Sequence, residues 1–215
     1  MNCLSDIWSM SRPQLAKYMN DHLCDESMMP LAPLTGVYLG VSLGLPIWVK
    51  SLTWTIFAKV IITHPKNGSL IGWNMRIDQT PRLVQGYRDV PISYRMKRKQ
   101  PWAFGPFFIE REERSICLNY RHINDTHSPT RYSPLRSLRD PIISLSSAHQ
   151  ETLPTRSTHQ EIAIGESPMI LLGRSDIECF GRRYATPSWF TLEHQGAVPP
   201  QVIEAGLKFW SDESL

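Results

Sequence analysis

Residues 50–63 read KSLTWTIFAKVIIT, in which Leu52, Trp54, Ile56, Ala58, Val60 and Ile62 alternate with Ser51, Thr53, Thr55, Phe57, Lys59 and Ile61. A period of two puts successive side chains on opposite faces of an extended chain, so the stretch is expected to be a strand with one mainly apolar face. It runs into HPKNG, where Pro65 and Asn67-Gly68 supply turn chemistry. SLIGWNMRIDQ follows, with Ile71, Trp73, Met75 and Ile77 again alternating with mostly polar neighbours. The two runs predict a hairpin.

Upstream, TGVYLGVSLGLP at residues 35–46 lies in a span with no charged residue between Glu26 and Lys50, and Gly36, Gly40 and Gly44 recur every four positions. That spacing suits helices packing in a bilayer. Three features favour a strand instead. Pro33 and Pro46 bracket the stretch, Val37, Tyr38 and Val41 are β-formers, and the chain passes directly into the hairpin. The glycines then serve tight bending or close backbone approach. A soluble chain without membrane insertion is expected.

Outward from this centre, SRPQLAKYMNDHL predicts a short amphipathic helix within an N-terminal helical segment, residues 1–30, that should cap the sheet. Val90 to Met96 alternates weakly, and PFFIEREERSICLNY predicts two strands joined at the charged turn 111–114. SPLRSLRDPIISL predicts a short strand interrupted at Asp140-Pro141. Residues 146–160 are polar and without period, which predicts a mobile loop. PMILLGRSDIECF and ATPSWFTLE predict a last strand pair around Gly181-Arg182-Arg183, and Pro200 opens a C-terminal helical segment, residues 199–215, in which Gly206 is unfavourable. The sum is an all-β, mainly antiparallel fold of roughly eight to ten strands, in a single domain spanning the chain.

The composition of the 215 residues, 41% apolar and 20% charged, suits a packed core. A net charge of +3 implies no nucleic-acid partner, and the basic knot Arg95, Lys97, Arg98 and Lys99 reads as a solvated turn. Cys3, Cys24, Cys117 and Cys179 are scattered without a CxxC pair, and the N-terminus lacks the pattern of a secretory signal, so a cytoplasmic protein is expected. The oligomeric state is left open.

A helix leading into PLTGVYLG, then antiparallel hairpins and a late TPSWFTLE strand, resembles the calycin group of ligand-binding barrels, which includes lipocalins and nitrobindin-type proteins. The motif that carries the resemblance is Gly36-Val37-Tyr38, where a lipocalin usually has Gly-x-Trp. The resemblance implies a barrel and carries over no site residues.

Neither a GxxxxGK[ST] phosphate loop nor a GxGxxG fingerprint occurs, and nucleotide-binding readings are set aside. His122, His127, His149 and His159 lie in loops without ligand spacing, so no metal and no cofactor is expected. Trp54, Trp73 and Trp189 either fill a core or line a pocket; a barrel of about eight strands holds one small ligand when its interior is not filled. Arg76 and Asp78 share a strand face, either as a solvated pair or as groups that orient a ligand, with Asp78 as acid or base. Tyr120 and His122 are comparable candidates at a barrel mouth. The leading expectation is binding of a small, largely apolar molecule. The alternatives are a cofactor-independent isomerase, cyclase or dehydratase acting in the same interior, and an interaction domain using a free sheet edge.

Overall fold

The computed structural model describes residues 4–23, 34–43, 56–77, 103–112, 115–120, 134–145 and 169–210. The expectations for Trp54, Asp78, His122, residues 90–99 and the loop 146–160 lie outside them. Eight antiparallel strands form a closed barrel in sequence order. They are β1 (Gly36–Leu43), β2 (Ile56–Thr63), β3 (Leu70–Met75), β4 (Ala103–Arg111), β5 (Ile116–Asn119), β6 (Leu138–Ser144), β7 (Ile170–Cys179) and β8 (Arg182–His194). Pairing of β8 with β1 closes the ring, so neither end of the sheet presents the free edge that an edge-docking interaction domain needs. Two helices precede the barrel, α1 (Leu4–Ser9) and α2 (Arg12–His22), and α3 (Pro200–Leu207) follows it, running into a 3-10 turn at Lys208–Trp210.

Local chemistry explains the joints. Gly68 takes φ 73° in the β2–β3 turn and its N–H donates to the His64 carbonyl at 3.0 Å, while Asn67 Oδ1 accepts from the Ser69 N–H at 3.0 Å. The β7–β8 turn consists of Phe180 and Gly181, at φ 51° and 70°. Paired positive φ values match the twist of a two-residue hairpin, so Arg182 and Arg183 belong to β8 rather than to the turn. Asp140-Pro141 does not interrupt β6. Pro141 pairs with Cys117 of β5, and on the β7 side the ladder passes from Arg139–Asp176 to Ile142–Gly173 without pairing Pro141, where a residue without an N–H leaves no donor unsatisfied.

Side chains from β1, β2 and β4 through β8, among them Tyr38, Ile61, Phe107, Leu118, Leu171 and Leu192, meet in one buried cluster. Only the inside of a closed sheet brings so many strands together, so this face is the interior. The other face is also buried. Val60, Ile71, Trp73 and Met75 pack outside the barrel against Val202 and Trp210 of the C-terminal segment, and Leu172 and Trp189 pack outside against Ile7, Leu15 and Met19 of α1 and α2. The N-terminal helix therefore covers a side wall of the barrel.

This register corrects the expected concave face. The more apolar face of β2 and β3, with Trp73, lies outside under α3, and Phe57, Lys59 and Ile61 point inside. The outer face is the more apolar one because a helix seals it from water as thoroughly as the barrel seals its interior. Gly206 marks the contact: a Cβ on it would overlap the indole of Trp73, which is 0% exposed. Gly206→Ala is therefore expected to destabilise the fold by about 1–3 kcal/mol in urea unfolding, despite alanine's better helix propensity. Stabilisation by up to about 1 kcal/mol, the intrinsic preference for alanine, would show that α3 does not sit on Trp73.

Candidate functional site

The alternation of β2 that places Phe57 and Ile61 inside also places Lys59 there, 3% exposed and opposite Asn74 of β3. Lys59 Nζ donates to Asn74 Oδ1 at 2.7 Å and to the Tyr120 hydroxyl at 2.5 Å. Asn74 Nδ2 donates to the Gly105 carbonyl at 2.9 Å, which turns its Oδ1 toward the lysine. Tyr120, just past the end of β5, donates to Asp140 Oδ2 at 3.3 Å, and that oxygen lies 3.7 Å from Lys59 Nζ. Three strands and the residue that follows a fourth thus contribute to a chain of contacts running Asn74, Lys59, Tyr120, Asp140. Asp140 Oδ2 carries both the Tyr120 and the Lys59 contact, and hydrogen bonding from Ser175 also acts on the carboxyl.

Aromatic rings surround the amine. Nζ lies 5.1 Å from the ring centroid of Phe107, 5.3 Å from those of Tyr120 and Phe190, and 5.4 Å from that of Phe57. Such distances bring a cation into the field of each ring's negative face. Three of the rings owe their position to glycine. Phe57 is paired across the sheet with Gly40, Phe107 with Gly72 and Phe190 with Gly173, and in each pair a Cβ on the glycine would overlap the phenyl ring. The missing side chain is the slot in which the ring lies, so Gly40 serves close approach inside a barrel.

The electrostatics follow from enclosure. Burial pulls the Lys59 amine down to about 8, with the Asp140 charge acting against that shift. Burial pushes Asp140 above the ordinary carboxylate range, opposed by Lys59 and by hydrogen bonding. Tyr120 is raised well above a free phenol, by burial first and by the Asp140 charge second, and stays a donor at neutral pH. Both members of the pair are thus driven toward their neutral forms, and a phenol stands between them.

Of the expected site residues, Tyr120 joins this cluster. Trp73 lies outside under α3, and Trp189 lies outside beside Arg174, whose guanidinium carbon is 5.4 Å from its ring. Arg76 follows β3, and its guanidinium carbon stands 5.8 Å from the Phe104 ring centroid. Lys59, Asn74 and Asp140 were not singled out by sequence. Lys59 lies on the less apolar face of its alternating run, and Asp140 precedes the proline expected to interrupt its strand; the available signal is a lysine in mid-strand between Phe57 and Ile61. The serine spacing of a nucleophile elbow, GxSxG, does occur at residues 40–44. Gly40 to Leu43, however, are part of the antiparallel strand β1, whereas an elbow needs a sharp strand-to-helix turn at the serine.

Among the described residues no three His, Cys, Asp or Glu side chains group as metal ligands, and no helix is long and apolar enough to cross a membrane. Comparison with protein-family models and with curated proteins finds no match for the chain.

Removing one partner of a buried charge pair strands the other in a medium that solvates it poorly. Lys59→Met is expected to lower unfolding stability by about 3–5 kcal/mol, and Asp140→Asn in the same chain to recover a large part of that loss. Additive losses in the double variant would mean that the two groups do not interact.

Proposed function

We propose that the barrel binds a small, largely apolar molecule through its single polar group, held at Lys59 with Tyr120 and Asp140 behind it. The supporting observation is the charged cluster itself, enclosed by aromatic and aliphatic side chains on the inside of a closed barrel. A recognition site for an apolar ligand combines an apolar lining with a few placed polar groups that fix orientation. Toward the rim where β1 ends, Phe57 and Ser42 are half-buried, whereas Tyr38, which pairs with Lys59 one step further from that rim, is fully buried. The ligand enters from that rim with its polar group leading. The architecture supports placing the chain with calycin-type barrels, and the free thiols of Cys117 and Cys179 suit a reducing, cytoplasmic setting.

A second reading is supported by Tyr120. A phenol in contact with both an amine and a carboxylate is a path for a proton, as a cofactor-independent isomerase, cyclase or dehydratase requires. In that reading Tyr120→Phe abolishes turnover of a bound compound and leaves its affinity little changed.

The anionic fluorophore 8-anilinonaphthalene-1-sulfonate tests the binding reading. It is expected to bind one molecule per chain, and Lys59→Met, checked for folding by circular dichroism, to weaken binding about tenfold, the scale of one charge-assisted hydrogen bond. Absence of binding, or an affinity indifferent to Lys59→Met, would remove the proposed anchor.

A further inference from the structure

Resting on the binding role proposed above, we infer that Lys59 is a nucleophile, one that condenses reversibly with an aldehyde or ketone group on the apolar ligand to form an imine at Nζ. The geometry sets it apart from a surface lysine in three respects. Its amine is enclosed by four rings, which keep water from competing for the carbonyl. It is held in a fixed direction by Asn74, whose own amide is fixed by Gly105. A proton relay already touches it, because the Tyr120 hydroxyl accepts from Nζ at 2.5 Å and donates in turn to Asp140.

The chemistry balances without an oxidant or a further reactant. The Nζ lone pair forms the N–C bond while the carbonyl π pair moves to oxygen. One N–H proton passes to that oxygen by way of Tyr120 and Asp140, giving a carbinolamine. The nitrogen lone pair then forms C=N as the C–O bond breaks, and the hydroxyl leaves with the second N–H proton as water. Tyr120 and Asp140 end in the protonation states in which they began.

Enclosure also makes the amine available. With Lys59 at about 8, its neutral fraction at pH 7 exceeds that of an ordinary lysine by roughly two orders of magnitude. A lysine activated by desolvation is the usual starting point for carbonyl condensation.

The test uses the full chain, 6-methoxy-2-naphthaldehyde and sodium cyanoborohydride, which reduces an imine to a stable secondary amine that peptide mapping locates. The noncarbonyl analogue 2-methoxynaphthalene, followed by its fluorescence, reports binding alone. The expected result is that the analogue binds, and that the reduced adduct forms on the Lys59 peptide at least about tenfold faster than on any other lysine peptide. Tyr120→Phe, which keeps the ring and the amine, is expected to slow that adduct about tenfold at matched occupancy of the aldehyde. Binding of the analogue with no preference for Lys59 among the adducts overturns the imine and leaves the binding role standing. Failure of both compounds to bind overturns both.

Discussion

An amine inside a barrel lined by hydrocarbon is the constraint to which the other features of the interior answer. An isolated ammonium moved from water into such a medium would cost several kcal/mol, so it persists only where it is paired, hydrogen-bonded or neutral. Lys59 has all three provisions in part. Asp140 offers an opposite charge at 3.7 Å, Asn74 and Tyr120 accept its protons, and burial brings its pKa to about 8. The aromatic cage adds attraction to the charged form, and the three cross-strand glycines give the rings room. Strand pairing, glycine placement and polar network are thus parts of one arrangement.

Such an arrangement is a poor way to gain stability. A fully apolar interior of the same volume would match or exceed it, since buried ion pairs barely offset their desolvation. Burial nonetheless drives both Lys59 and Asp140 toward their neutral forms. An amine kept near neutrality beside a phenol suits a ligand with one polar group. That is the physical ground for treating the interior as a site.

The sequence carried the strands well and their facing badly. β1, the hairpin at Asn67-Gly68, the pairing of β7 with β8 though not the residues of its turn, α2 and α3 were legible from alternation, turn residues and helical spacing. The facing was not, because both sides of β2 and β3 are buried and the usual rule that the more apolar face points inward then fails. Trp73 and Val60 outside are covered by Val202 and Trp210, residues more than a hundred positions away, and local periodicity holds no record of such a partner. Tyr120 was legible as a polar aromatic at a strand end. Lys59 and Asp140 were not, since each had an ordinary local explanation, a solvent-facing lysine and a turn-forming Asp-Pro.

The most direct test of the account is the ionisation of Lys59 itself, followed by NMR of chains carrying isotope-labelled lysine and assigned by Lys59→Arg. The Lys59 amine is expected to titrate near pH 8, below the free-peptide value of a lysine near 10.5. A Lys59 that titrates at the free-peptide value would contradict the enclosure of its amine among Phe57, Phe107, Tyr120 and Phe190.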